Sequence, residues 1–132
     1  MLVLDTHIVI WWTSGDPALS DNARSRIEAA IESNEQVLVS SITAWEVSML
    51  VSKGRLQLVM DIDTWIKTVS EIEGVSFVPV DNKVAIEATR LPSEFHKDPA
   101  DRMIVALARV LSATLVTADE KILKYQHVKT IS

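Results

Sequence analysis

Two aspartates three residues apart, Asp98 and Asp101, sit in the run His96-Lys97-Asp98-Pro99-Ala100-Asp101-Arg102, just before the apolar stretch Met103-Ile104-Val105-Ala106-Leu107-Ala108. Proline suits the first position of a helix, where no N–H is needed, so Pro99 starts a helix with Asp98 as its N-cap and Asp101 as its third residue. Both carboxylates then face one opening. Capping by Asp98 and a favourable helix-dipole contact by Asp101 account for such a pair when it stands alone. Here other acids are aimed at the same kind of place. Met1-Leu2-Val3-Leu4-Asp5-Thr6 reads as a buried parallel strand ending in an acid, and Thr114-Leu115-Val116-Thr117-Ala118-Asp119 repeats the pattern. The carboxyl ends of strands are where open α/β sheets place their sites. A third strand, Gln36 to Ser40, leads through Ser41 as the expected N-cap into a helix, Ile42 to Leu50, that carries Glu46. Glu46 has Ile42 at i−4, Met49 at i+3 and Leu50 at i+4, so it lies in or beside an apolar stripe, where an unpaired carboxylate is costly.

A single cation would explain all of these acids together. Several carboxylates cannot stay ionised within a few ångströms of one another unless a positive charge neutralises them. Oxygen-only ligands select Mg²⁺, with Mn²⁺ as a substitute, and Mg²⁺ shares its remaining positions with water and substrate phosphate. Zinc is disfavoured, because the chain has no cysteine and His7, His96 and His127 lack the paired spacing of a zinc site. Each histidine reads instead as a surface or packing residue. Thr6, Ser41 and Thr117 stand beside the acids and could orient a carboxylate, although caps and turns use the same residue types in the same way.

The elements that must hold these residues alternate between strand and helix. After the first strand come a short helix near His7 to Trp12, a turn at Gly15-Asp16-Pro17, and a helix from about Asp21 to Ser33. Lys53-Gly54-Arg55 ends the Glu46 helix, and Ile62, Trp65, Ile66, Val69 and Ile72 mark the next with a 3.6-residue stripe. Val75 to Val80 reads as a strand whose Pro79 points to an edge or a strand terminus. Asp81 caps the following helix, which Leu91-Pro92 closes. Such alternation implies a mostly parallel sheet covered on both faces, with its strand ends on one rim.

The 132 residues fit one domain, residues 1–132, with a core of its own. Neither a membrane span nor a secretory signal is expected from the hydropathy pattern, and the lack of cysteine agrees with a reducing, cytoplasmic setting. The net charge of −5 looks unsuited to a nucleic-acid partner, yet five of the eighteen acids belong to the proposed cation site. Lys97 and Arg102 flank the paired aspartates, Lys53 and Arg55 follow the Glu46 helix, and Lys121 and Lys124 follow Asp119. For Arg102 two uses stand open, contact with a substrate phosphate or an ion pair with a neighbouring acid.

Taken in order, Leu-Val-Leu-Asp-Thr-His at the start, Ser-Ile-Thr-Ala-Trp-Glu-Val in the middle, the Asp-Pro-Ala-Asp-Arg segment and the late Leu-Val-Thr-Ala-Asp resemble a PIN-domain ribonuclease of the VapC toxin type. The resemblance spans nearly the whole chain. It implies a three-layer α/β sandwich and Mg²⁺-dependent hydrolysis of RNA phosphodiester bonds, with Asp5, Glu46, Asp101 and Asp119 as the four acids that hold metal and carry catalysis. Asp98 is similar to an accessory acid of the Asp-Pro-x-Asp-Arg subgroup. The resemblance also implies a bacterial or archaeal source, a homodimer and a cognate antitoxin, for which Trp11, Trp12, Trp45 and the apolar Leu56, Leu58, Val59 and Met60 offer surface. Two other kinds of protein share some of these features. A receiver-like signalling domain also binds Mg²⁺ at strand ends, but it needs an acidic cluster after the first strand and a late Lys-Pro, both absent here. An inactive PIN-fold binding module has no need of all four acids.

Overall fold

In the computed structural model, which describes residues 1–132, the first strand, β1 (Leu2–Leu4), lies at the centre of a five-stranded sheet. It is followed by α1 (Thr6–Ser14), α2 (Asp21–Glu32), β2 (Val37–Ser40), α3 (Ser41–Ser52), α4 (Ile62–Ser70) and β3 (Val75–Val78). The chain then forms α5 (Asn82–Thr89), α6 (Pro99–Val110), β4 (Thr114–Val116), α7 (Glu120–Leu123) and β5 (Thr130–Ile131). The strand order is β3-β2-β1-β4-β5, and every neighbouring pair is parallel. This order differs from the 2-1-3-4-5 order of the receiver fold, so the receiver alternative is set aside.

Alternation along the strands divides the interior into two cores. Leu2, Leu4, Val37, Val39, Val75 and Val116 face one way and pack with Ile8, Val9 and Ile27, Val47, and Trp65 and Val69 from the helices. Val3, Leu38 and Leu115 face the other way, against Ile104, Val105 and Leu107 of α6 together with Val84 and Ile122. The strands read as unbroken apolar runs because both of their faces are covered. Helix starts are marked in the sequence as well. Asp5, Ser20, Asp61, Asp81, Asp98 and Asp119 each accept a backbone N–H from the first turn of the helix that follows. Gly15, with φ of 68°, ends α1 in the left-handed conformation that glycine adopts at least cost, and its N–H bonds back to the Trp11 carbonyl.

Several expectations shift at their edges. β3 is an edge strand, as Pro79 implied, but it stops at Val78, before the residue that cannot donate to a ladder. Ser41 is not the cap of α3. Ser40 takes that role, its hydroxyl accepting the Ile42 N–H at 3.2 Å, because the strand turns into helix one residue earlier than the hydrophobic pattern suggested. Neither the single-turn α7 nor the two-residue β5 was foreseen, since elements so short carry no readable period. No helix is long and apolar enough to cross a membrane.

Candidate active site

The strand order reverses between β1 and β4, whose neighbouring carboxyl ends diverge into α1 on one side and α7 on the other. A crevice opens at such a switch point in any doubly wound sheet. Asp5 stands at the end of β1, where its N–H bonds the Val116 carbonyl of β4 at 3.0 Å, and Asp119 follows β4 by three residues. Glu46 comes in from α3, and Asp98 and Asp101 from the start of α6. Together the five carboxylates line a cavity of about 370 Å³, with His7 and Trp11 in its wall and no lysine or arginine among its lining residues.

Each acid is steered by a neighbour. Asp5, only 6% exposed, accepts the Thr6 N–H at 2.8 Å on Oδ1 and the Thr117 hydroxyl at 2.7 Å on Oδ2. The Thr117 hydroxyl oxygen also accepts the Asp119 N–H at 3.1 Å, which ties the two strand ends together. Thr6 donates its hydroxyl to Glu46 Oε1 at 2.5 Å. With that proton committed, Thr43, fully buried on α3, donates to the Thr6 oxygen across 3.0 Å. Asp98 accepts the Asp101 N–H at 3.1 Å and Asp119 accepts the Lys121 N–H at 2.8 Å, each as an N-cap with one oxygen free of the helix.

Negative charge dominates the site, with no lysine or arginine in its lining and only a lesser opposing influence of His7 on Asp5 and Glu46. Burial, followed by the carboxylates of Asp5, Asp98, Asp119 and Glu46, pushes the Asp101 carboxyl up to about 8. Burial also raises Asp5, against the opposing hydrogen bonds from Thr117 and Thr6. Glu46 is raised chiefly by burial, with the Thr6 hydrogen bond opposing and Asp5 and Asp98 adding to the rise. A positive charge placed in the cavity would reverse every one of these trends. As the side chains stand, no three of them close on a single point in the manner of a preformed ligand cage. The donors on offer are carboxylate oxygens, which a hard cation such as Mg²⁺ takes while filling its other positions with water.

Thr6 and Thr117 are thus brought into the site by the hydroxyls that steer Glu46 and Asp5, whereas Ser41 lies outside the residues lining the cavity. Arg102 makes no ion pair with an acid. Its Nε donates to the Ala88 carbonyl at 2.8 Å and one terminal nitrogen to the carbonyls of Phe95 and His96, at 2.9 and 3.2 Å. Its guanidinium thereby staples the end of α5 and the 95–96 loop onto α6, at the wall of a cleft it shares with Lys97. Three residues set aside in the sequence stand close to the acids. His7 and Trp11, spaced i and i+4 on α1, share the cavity wall with ring centroids 5.8 Å apart. His96 places Nε2 3.0 Å from Asp101 Oδ2, out of line for a hydrogen bond, so that this buried nitrogen has no well-aligned partner. The i, i+4 spacing beside a strand-end acid was a readable signal for the first two. Nothing local marked His96, whose position is set by the loop that Arg102 holds.

Comparison with known proteins gives a consistent result. Residues 2–128 match the family model described as the PIN domain. The chain is 32% identical over 131 residues to Ribonuclease VapC22 of Mycobacterium tuberculosis, covering 99% of this chain and 96% of the relative. Among solved structures it is similar to VapBC2 from Rickettsia felis bound to a promoter DNA fragment, with a TM-score of 0.73 at 19% identity over 98% of this chain and 96% of the other. It is also similar to a toxin-antitoxin complex from Klebsiella pneumoniae, with a TM-score of 0.65 at 18% identity over 100% and 97% of the two chains.

Proposed function

This chain belongs to the PIN-domain family, and we propose that it is a metal-dependent endoribonuclease acting as the toxin of a toxin-antitoxin pair. The observation that carries this reading is the gathering of five carboxylates, from β1, α3, α6 and the β4–α7 turn, in one cavity that holds no lysine or arginine. Asp5, Glu46, Asp101 and Asp119 would hold one or two Mg²⁺ ions, for which Mn²⁺ substitutes, and Asp98 would join them through the oxygen not used in capping. When bound, the cation neutralises the carboxylates and the substrate phosphate, activates water for in-line attack and offsets charge on the leaving oxygen.

The chain's own residues supply positioning. Thr117 and the Thr6 N–H fix Asp5 from both sides, so the acid common to the strand end and the cavity cannot swing away. Thr6, held by Thr43, aims Glu46, and the caps at Asp98 and Asp119 fix the first turns of α6 and α7 against the same opening. No protein nucleophile is required. Kinship with VapC22 and likeness to a toxin-antitoxin complex support a cognate antitoxin as partner, and the proposal includes a homodimer and a cytoplasmic site of action. The surface has apolar material for such contacts, including Trp45, half exposed, and Val59, 98% exposed.

Sequencing of cleavage ends in cellular RNA after expression tests the reading. Discrete new ends with the wild-type chain, absent with Asp5→Asn, are the expected result. No new ends with a folded wild-type chain, or the same ends with Asp5→Asn, would overturn it.

A further inference from the structure

An anionic strand cannot be held by a rim of carboxylates alone, and a chain of net charge −5 provides no general attraction for it. Positive charge must therefore act locally, from side chains not already used. Arg26, Lys67 and Arg109 are paired with acids, and Arg102 is committed to carbonyls. Lys97, Lys121 and Lys124 make no ion pair and are exposed. Lys97 adjoins Asp98 in the chain, and Lys121 and Lys124 follow Asp119 by two and five residues.

Lys121 of α7 and Lys124, the C-cap of that helix, stand three residues apart, and they line a cleft of about 270 Å³ with His96 and Phe95. Lys97 lines an adjoining cleft of about 500 Å³ that shares the same His96 and Phe95. His96 is the wall common to both clefts, and it reaches the site through Asp101, whose Oδ2 lies 3.0 Å from its Nε2. Glu94 is the one acid that lines either cleft. Beneath them the rings of His96, Phe95, Tyr125 and His127 pack in series, with centroids 4.5, 4.6 and 5.3 Å apart, and the Tyr125 hydroxyl donates to the Pro92 carbonyl. This gives the lysines a stiff floor.

We propose that Lys97, Lys121 and Lys124 form a phosphate track that holds the RNA strand on one side of the scissile bond, beyond the carboxylate cavity and across His96. Because Lys124 keeps right-handed helical backbone at the cap, it and Lys121 hold the i, i+3 relation and set two ammonium groups on one face, about 5–6 Å apart at Cβ, for successive phosphates to reach. The track rests on the ribonuclease reading and assigns one flank of its substrate. Lys53 and Arg55 have no part in it, because they lie beyond the far end of α3, more than a turn past Glu46.

The test uses an oligoribonucleotide spanning a cleavage site mapped in cells, with kcat and KM measured in Mg²⁺ over a KCl series. For Lys121→Gln/Lys124→Gln, KM should rise about tenfold or more at about 0.1 M salt while kcat stays within about twofold. The slope of log(kcat/KM) against log[KCl] should become shallower by about 1.4, from two lost single-strand contacts at about 0.7 each. Lys121→Arg/Lys124→Arg should behave as wild type, which separates charge from packing, and so should Lys53→Gln/Arg55→Gln. Unchanged KM and salt slope in the Lys121/Lys124 glutamine variant, or an equal loss in the Lys53/Arg55 control, would overturn the track while leaving the ribonuclease reading in place. Absence of any cleavage by the wild-type chain would overturn both.

Discussion

Glu35 and Asp101 are both partly buried carboxylates, at opposite rims of one sheet, and their environments pull them in opposite directions. Glu35 precedes β2 on the amino-end rim, where Arg26 meets it with two hydrogen bonds of 2.9 and 3.0 Å and the N-terminal ammonium lies at 2.6 Å. Arg26 first, and then the terminus, hold its carboxyl down at about 2. Asp101, on the carboxyl-end rim, has four other carboxylates for company and is pushed up to about 8. The same fold therefore pairs its acid where only structure is at stake and leaves its acids uncompensated at the switch point. An uncompensated cluster is a standing demand for a cation, and that demand, more than any one residue, distinguishes a site from a surface.

The comparison can be broken most forcefully at Asp5. Asp5→Asn should lower RNA cleavage by at least about a hundredfold, since even residues that merely support a metal ligand are worth 10–100-fold. The thermal midpoint should stay level or rise, because a buried charge is removed and Asn still caps α1. Cleavage and unfolding measured on one preparation check both halves, and near wild-type cleavage would remove Asp5 from the site. Thr6→Val comes next. It deletes the hydroxyl that aims Glu46 and should cost about 10–100-fold in cleavage, a loss that Thr6→Ser largely restores.

A pH series sharpens the contrast without assaying activity. In metal-free protein Asp101 keeps a proton that the unfolded chain releases, so its contribution is fully present below about 4 and is lost as pH rises towards about 8. The thermal midpoint should fall across that window, Asp101→Asn should flatten the fall, and Mg²⁺ should oppose it. Glu35 works in reverse: its stabilisation is present above its ordinary 4.5 and lost as pH falls towards about 2. Glu35→Gln should alter only the acid limb, and by less, because the pair lies near the surface. The smallest effect belongs to Asp98. As a cap, Asp98→Ala should cost about 0.5–2 kcal/mol in denaturant unfolding while Asp98→Asn keeps most of the stability. Cleavage by both variants at limiting Mg²⁺ then tells whether the free oxygen also serves the cation.

Much of this was readable from the chain because strong local signals and topology agree. The apolar runs Leu2 to Leu4 and Leu115 to Val116 read as strands covered on both faces, and the caps at Asp5, Asp81 and Asp98 follow from residue type and position. Those facts place four of the five acids at strand ends and helix starts, and Glu46 within the helix that follows β2. Long-range hydrogen bonding was not legible. That Arg102 reaches the carbonyls of Ala88, Phe95 and His96 and pairs with no acid depends on where α5 and the 93–97 loop lie, and no spacing encodes that. Thr43 likewise looked like an ordinary helix residue until the packing of α1 on α3 set its hydroxyl beneath Thr6. The exchange of Ser41 for Ser40 as cap shows the limit at element boundaries, where a single residue of strand or helix leaves no trace in the pattern.

The central claim is that the switch-point rim needs a divalent cation that its own side chains do not replace. Mn²⁺ binding to metal-free protein, followed by electron paramagnetic resonance, tests it most directly without relying on cleavage. Saturable binding that Mg²⁺ displaces, weakened about tenfold or more by either Asp5→Asn or Asp101→Asn and unchanged by Glu35→Gln, is the expected result. Absence of saturable binding in the folded wild-type chain, or equal affinity in all three variants, would contradict it.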